Sequence, residues 1–326
     1  MPSSRSTGSA GVPGALPPPA SFLAAYDEVL TARWPEGTTT ARIPTPYGTT
    51  HVTSHGPSDA PAPAVVLLPG GGATSTVWHA QAAHLGRKRR VHAVDLIGEP
   101  GRSTPGARPI RTVADLTGWL GAVLEALGAE ADGRRPVLAG HSYGAWIALH
   151  HALHAGGARR LAGLVLVDPT QCFTGFRPGY LLHALPLLLR PTPRRARAFL
   201  TWETAGADLD AGWLRLYEEG ARLPAVRPVT GPRPGREALR GLAVPTLVLL
   251  AERGRALDPV RTARAVGRTL PGASTYTIPG ATHHTLPLHA TAAAGINRRL
   301  DAFLDGLTDG LPDGLPDRLP GGLPGE

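Results

Sequence analysis

A serine between two glycines, with a strand pattern before it and a helix pattern after it, constrains this chain most. The segment G-H-S-Y-G at residues 140–144 follows an apolar run at 136–139 and precedes another at 145–149. We expect Ser142 at a sharp strand-to-helix turn, where two close backbones leave no room for side chains at the glycine positions. Because the chain has 41 glycines, the five letters alone are weak, and the flanking elements carry the prediction.

Short apolar runs alternate with helix patterns on both sides of this serine. Those at residues 64–68, 91–95, 161–167 and 244–250 have the character of strands. The unbroken run at 64–68 is typical of a strand buried on both faces of a parallel sheet. Strands that alternate with helices indicate βαβ units. We therefore predict an α/β fold, with a mostly parallel sheet flanked by helices.

Composition divides the chain into segments. We predict a disordered arm at residues 1–20, rich in Ser, Gly, Pro and Ala, and a disordered tail at 305–326 with a repeated D-G-L-P motif. The alternating pattern fills 21–169 and resumes at 240–304, as two parts of one core. Residues 170–239 lack the alternation, and we interpret them as a helical cap inserted between the last strands, over the edge of the sheet where ligands bind.

Charge and composition exclude other classes. The net charge of +8 comes almost entirely from arginine, without a nucleic-acid-binding motif or interleaved aromatic residues, so we predict no nucleic-acid partner. No apolar stretch approaches the roughly 18 residues of a membrane span. The arm lacks a secretory signal pattern, and the single Cys172 forms no intrachain disulfide. We predict a cytoplasmic protein, without a prediction of its oligomeric state.

A glycine-rich loop, P-G-G-G-A-T at residues 69–74, follows the first buried run. Glycines there let backbone N–H groups point at an anion, as an acyl-transfer enzyme needs for its tetrahedral oxyanion. The loop lacks the G-x-G-x-x-G spacing of dinucleotide-binding proteins, so we predict no cofactor. His150 and His154 share a helix face but have no carboxylate or cysteine beside them, and we predict no metal site.

The ordered loop, serine turn and late histidine resemble the α/β-hydrolase superfamily over about residues 42–304. The resemblance implies that Ser142 is the nucleophile and that the backbone N–H groups of Tyr143 and Gly71 bind the oxyanion. The family often has His-Gly at the start of the glycine-rich loop, where this chain has Pro69 before a glycine. That change removes a side chain but keeps the glycine backbone.

The base is expected after the last strand. Family histidines follow that strand in a G-A-G-H-like segment, which matches G-A-T-H at residues 280–283 and implies that His283 is the general base, with His284 as the alternative. A serine hydroxyl is barely ionised near neutral pH, so an imidazole must accept its proton and later deliver it to the leaving group. A buried carboxylate must orient that imidazole and stabilise the imidazolium.

The carboxylate departs from the family pattern. The family has a G-x-x-D-like turn after the penultimate strand, whereas A-E-R-G here puts Gly254 at the acid position. We choose Asp258, four residues later, with Asp168 at the end of the preceding strand as the alternative acid. Glu252 and the absence of any acid stay open. Each aspartate precedes a proline, a pair that is also typical of a helix N-terminus.

These parts predict a serine hydrolase that cleaves a carboxylic ester or a similar small-molecule acyl substrate through an acyl-enzyme. An acyltransferase or a thioesterase of specialised metabolism is the alternative, because another acceptor could replace water. A non-catalytic binding protein on the same fold is a further hypothesis, based on Gly254 and Pro69. In that protein, Ser142→Ala would leave the function unchanged.

Overall fold

The structure, a computed structural model, describes residues 17–130, 134–154, 156–224 and 228–309. The strands in this part of the chain are β1 (Thr39–Thr45), β2 (Gly48–His55), β3 (Val65–Leu68), β4 (Val91–Val94), β5 (Thr104–Pro105), β6 (Val137–His141), β7 (Gly163–Val167), β8 (Thr246–Ala251) and β9 (Ser274–Ile278). They form one sheet in the order β1-β2-β4-β3-β6-β7-β8-β9, with β5 beside β2. Pairs that include β2 are antiparallel, and the pairs from β4 to β9 are parallel. The predicted mostly parallel sheet is confirmed.

Helices flank this sheet on both faces. They are α1 (Ala20–Arg33), α2 (His79–Leu85), α3 (Val113–Glu130), α4 (Tyr143–Leu153), α5 (Pro178–Leu189), α6 (Pro193–Glu203), α7 (Ala211–Gly220), α8 (Arg236–Arg240), α9 (Pro259–Thr269), α10 (Thr285–Leu288) and α11 (Ala290–Asp309). One apolar cluster joins the sheet to α3, α4 and α9, and another joins it to α1, α2 and α11. The α/β class is therefore confirmed.

Strand β3 shows why an unbroken apolar run suits the centre of this sheet. Val66 and Leu68 pack into the cluster with α3 and α4, whereas Val65 and Leu67 pack into the cluster with α1 and α2. All four side chains are fully buried. Because successive side chains of a strand point to opposite faces, a strand covered on both sides needs apolar residues throughout.

The ends of the core differ slightly from the predicted boundaries. Helix α1 begins at Ala20, and residues 1–16 of the predicted arm lie outside the described part. The predicted tail begins too early, because α11 continues to Asp309. Its last turns are held by an ion pair between Asp305 and Arg89 (3.1 Å) and by packing of Leu307 against the start of β7. The rest of the tail lies outside the described residues.

Helices α5 to α8 lie between β7 and β8, mostly within residues 170–239. Helix α5 contacts α6, α6 contacts α7, and α7 packs on α1. The role of this segment as a cap stays a prediction. In the described ranges, no helix is both long enough and apolar enough to cross a membrane.

Candidate active site

Ser142 occupies a strained turn between β6 and α4. Its φ is 53°, a left-handed conformation that is uncommon for residues other than glycine. A Cβ atom at Gly140 would lie 2.3 Å from the backbone of Gly144, and one at Gly144 would lie 2.4 Å from the carbonyl oxygen of Pro69. Only glycine fits at both positions, so the predicted strand-to-helix turn and the reason for its glycines are confirmed.

Ser142, His283 and Asp168 form a continuous chain of hydrogen bonds. Ser142 Oγ lies 2.8 Å from His283 Nε2, and His283 Nδ1 lies 2.6 Å from Asp168 Oδ2. An ionised carboxylate only accepts hydrogen bonds, so Nδ1 carries the proton and Nε2 is left to accept from the serine hydroxyl. The histidine and aspartate side chains are almost fully buried. This geometry allows the serine proton to move to Nε2.

Asp168 follows β7 directly and is fixed by the neighbouring strand. Its N–H donates to the carbonyl oxygen of Leu249 (2.7 Å), and its Oδ1 accepts from the N–H of Ala251 (3.1 Å). Its φ of 42° departs from the extended strand and coincides with this double attachment to β8. The second carboxylate oxygen is thereby left for His283.

The structure corrects the first choice of acid, Asp258. That side chain is exposed at the N-terminus of α9, where Oδ1 accepts from the N–H of Arg261 (2.9 Å). Glu252 is also exposed and bonds a backbone N–H of the loop after β9. A Cβ atom at Gly254 would lie only 3.6 Å from Asp168 Oδ2. The carboxylate therefore reaches the expected place from the end of β7 instead of from the loop after β8.

The electrostatic surroundings of His283 favour its protonated form. Burial alone would lower the pKa of the imidazole, because a charged ring loses its hydration. The hydrogen bond to Asp168 and the negative charges of Asp168 and Glu203 outweigh that effect, and the pKa of His283 is raised above its usual value. An imidazolium that forms during a reaction would be stabilised by the same groups.

Glu203, on α6, binds the backbone of the loop that contains His283 and His284. No sequence pattern indicated Glu203 as a site residue. Its carboxylate accepts from the N–H of His283 (3.0 Å), the N–H of His284 (3.1 Å) and the hydroxyl of Thr282 (3.2 Å). It also bonds His284 Nδ1 (3.0 Å), so the alternative base faces Glu203 and makes no hydrogen bond to Ser142. Burial alone would raise the pKa of Glu203, but the bonds and charges of the two histidines lower it to about 2.

His141 fixes the other side of the same loop. Its Nε2 donates to the carbonyl oxygen of His283 (3.0 Å). Burial and the two nearby histidines hold the pKa of His141 well below its usual value, so the ring is neutral. Because Glu203 binds the N–H of His283 and His141 binds its C=O, both peptide groups that flank the imidazole are fixed.

Two backbone N–H groups are available beside the serine. Tyr143 is the first residue of α4, so its N–H has no partner within the helix. The N–H of Gly71 makes no hydrogen bond within the described part of the chain. A Cβ atom at Gly71 would lie 3.8 Å from Tyr143 Cβ, and one at Gly70 would lie 3.3 Å from Ser142 Cβ. The predicted donors are therefore close to each other and to the serine.

Glu99 and Tyr180 are further side chains near the site that the sequence did not single out. Glu99 belongs to the loop after β4 and accepts from the N–H of Gly72 (2.8 Å). Burial raises the pKa of this carboxyl group. The ring of Tyr180, on α5, lies 6.1 Å from the ring of His283. Neither residue has a local signal, since Glu99 lies in a loop rich in glycine and proline and Tyr180 in an apolar helix.

No cluster of His, Cys, Asp or Glu suited to a metal ion occurs in the described ranges. His150 packs its ring against Trp146, with centroids 4.3 Å apart. This helix face is therefore occupied by aromatic packing.

A strained serine turn and a Ser-His-Asp chain with a buried histidine and aspartate, at the carboxyl edge of a parallel sheet, define an α/β-fold hydrolase. The chain belongs to the alpha/beta hydrolase family, whose family profile matches residues 65–298. Carboxylesterase YbfK of Bacillus subtilis (strain 168) is 32% identical over 183 residues, which cover 56% of this chain and 57% of that relative, less than two thirds of its length.

Solved structures agree with this membership. The crystal structure of carboxylesterase CesB (YbfK) from Bacillus subtilis has a TM-score of 0.77 and 26% identity, covering 87% of this chain and 97% of that chain. The naproxen esterase (carboxylesterase NP) from Bacillus subtilis has a TM-score of 0.76 and 26% identity, covering 87% of this chain and 96% of that chain.

Proposed function

We propose that this protein is a serine carboxylesterase that cleaves a small-molecule ester through an acyl-enzyme. The hydrogen-bonded chain of Ser142, His283 and Asp168 carries the proposal. The relatives named as carboxylesterases support it.

In this mechanism, Ser142 Oγ attacks the ester carbonyl carbon while His283 Nε2 takes the hydroxyl proton. The negative charge that develops on the carbonyl oxygen is stabilised by the N–H groups of Gly71 and Tyr143. The imidazolium, held by Asp168, then gives its proton to the leaving alcohol. Water attacks the resulting acyl-enzyme with the same base, and Ser142 regains its proton as the carboxylic acid leaves.

The helices between β7 and β8 serve as the cap and shape the acyl pocket. Their aromatic side chains support this role, because Tyr180 lies near His283 and the ring of Phe199 lies 5.7 Å from that of His284. Rigid aromatic walls favour a compact apolar acyl group. We retain the predictions that the enzyme acts in the cytoplasm and needs no cofactor.

The hypothesis of a non-catalytic binding protein loses its main basis. It depended on the absence of an acid at Gly254, and Asp168 supplies a carboxylate to His283. The acyltransferase alternative differs from an esterase only in the acceptor. Product analysis with and without an added alcohol or amine separates the two, since an esterase releases the free acid in both cases.

The direct experiment is labelling with a fluorophosphonate, which reacts with an activated serine. We expect one label on the wild type, none on Ser142→Ala, and unchanged labelling of Ser274→Ala, a control at an exposed serine. Hydrolysis of para-nitrophenyl butyrate should follow the same order. A folded wild type that takes no label and hydrolyses no ester would overturn the proposal.

A further inference from the structure

Helix α5 exposes its apolar side chains to solvent. Five of its leucines are between 46% and 75% exposed, and we refer to them as the α5 leucine face: Leu181, Leu182, Leu185, Leu188 and Leu189. Elsewhere in the described ranges, Val260 (60%) is the only large hydrophobic side chain in this range of exposure, and Tyr276 follows at 38%. Single exposed apolar residues are ordinary, but five on one helix mark an interaction surface.

The arrangement of these leucines is ordered. At 100° per residue they occupy an arc of about 120° on one side of the helix. Ala184 is the buried residue of α5, and Tyr180, at its start, faces His283. The helix therefore has an inner side that borders the proposed active site and an outer side that is apolar.

The segment that carries this face is rich in arginine. Between Asp168 and Glu203 the chain has five arginines and no acidic residue. Arg195 ties α5 to α6 through the carbonyl oxygens of Pro186 and Arg190. The other four are exposed, and Arg197 among them pairs with Glu218 on α7. We refer to these four as the arginine rim: Arg177, Arg190, Arg194 and Arg197.

We propose that the α5 leucine face docks on an anionic phospholipid bilayer. The leucines would enter the boundary between headgroups and acyl chains, and the arginine rim would contact lipid phosphates. Such docking would place the mouth of the proposed active site next to the lipid. This docking does not depend on the reaction proposed at Ser142.

Two other occupants fit this face less well. In a symmetric dimer across α5, the arginine rims of both copies would meet with like charge, whereas an anionic surface attracts them. The segment 310–326 contains leucines and aspartates, but it continues from the end of α11. Leu307 of that helix lies against Gly163 at the amino end of β7, whereas α5 follows the carboxyl end. Helix α11 therefore ends at the edge of the sheet opposite to α5.

The test uses sedimentation with vesicles of phosphatidylcholine alone or mixed with phosphatidylglycerol. The protein is the full chain with Ser142→Ala, so that no lipid is hydrolysed. We expect binding to the mixed vesicles, much weaker binding to phosphatidylcholine alone, and weaker binding at high salt, because salt screens the arginine charges. The triple variant Leu182→Ser, Leu188→Ser, Leu189→Ser should bind the mixed vesicles more weakly by about tenfold or more.

Matched controls separate this face from the rest of a basic protein. The double variant Arg190→Gln, Arg194→Gln should also lose about tenfold in binding, whereas Arg236→Gln with Arg240→Gln and Val260→Ser with Tyr276→Ser should bind like the parent. In an otherwise wild-type background, hydrolysis of soluble para-nitrophenyl butyrate by the leucine variant should be unchanged, which shows that its site is intact.

Several results would overturn the docking proposal. They are absence of binding to the mixed vesicles, equal loss in the control variants, a dimer in solution that the leucine substitutions dissociate, or binding that appears only after deletion of residues 310–326. Each leaves the esterase proposal untouched, because labelling of Ser142 is measured separately in the absence of lipid.

Discussion

The chain contains two Asp-Pro pairs at the carboxyl edge of the sheet, and their aspartates differ in burial and in the groups that they bind. Asp168 is almost fully buried, has a positive φ and contacts His283, whereas Asp258 is exposed and caps α9. Pro259 occupies the first turn of a helix, where a missing N–H costs nothing, and the Asp258 carboxylate accepts a free N–H of that turn. No such helix begins after Asp168, and its carboxylate is free to act elsewhere.

The difference shows that position after a strand is insufficient to identify a triad acid. The deciding feature is whether the carboxylate accepts a hydrogen bond from the first turn of a helix that follows directly. At Asp258 the helix begins at once, but nine residues separate Asp168 from α5. The backbone of β8 instead binds one oxygen of Asp168 and leaves the other for the histidine.

The largest expected difference in activity is between the variants in which the aspartate of one or the other pair is replaced by asparagine. Asp168→Asn keeps the shape of the side chain but favours the wrong tautomer of His283, and we expect a loss of about 10⁴-fold in kcat. Asp258→Asn keeps an N-cap and should retain full activity. Steady-state hydrolysis of para-nitrophenyl butyrate measures both. Equal activity of the two variants would contradict the assignment of Asp168.

The charge of Asp168 should also be visible in the pH dependence. His283 must be neutral to accept the serine proton, and its pKa is raised. We therefore expect kcat/KM to fall as the pH decreases through a value above about 6.5, by about tenfold per pH unit below it. Asp258→Asn should not move this acid limb. An acid limb below the ordinary histidine value in the wild type would contradict the raised pKa of His283.

Glu203 extends the comparison, because its carboxylate binds the backbone N–H of His283, whereas that of Asp168 binds the imidazole ring. Glu203→Gln removes a negative charge that raises the pKa of His283, so the acid limb of kcat/KM should shift to lower pH. One peptide N–H also loses its acceptor, and we expect kcat to fall by about tenfold. Glu218→Gln, which breaks the ion pair with Arg197 between α6 and α7, is the control. A fall in kcat without a shift of the limb would indicate a structural role alone.

A site residue could be predicted from the sequence where the interactions that position it are close in the chain, and not where they are tertiary contacts. Ser142 could be located because its glycines and flanking elements are adjacent in the chain, and His283 because it closely follows the last strand. The choice between Asp168 and Asp258 depends on which carboxylate meets His283, which is a tertiary contact. Glu203 had no local signal at all, because the N–H that it binds lies 80 residues away. The sheet was predictable because buried parallel strands need unbroken apolar runs.

The smallest expected effect concerns stability instead of catalysis. Asp258→Ala removes the side chain that accepts the N–H of Arg261, and we expect the free energy of unfolding to fall by about 1 kcal/mol. Activity under native conditions should stay at the wild-type level, since this carboxylate makes no hydrogen bond to His283 in the described part of the chain. Urea unfolding measures the first quantity and ester hydrolysis the second. A loss of activity without a loss of stability would mean that Asp258 contributes to the site after all, and the two Asp-Pro pairs would then share a role.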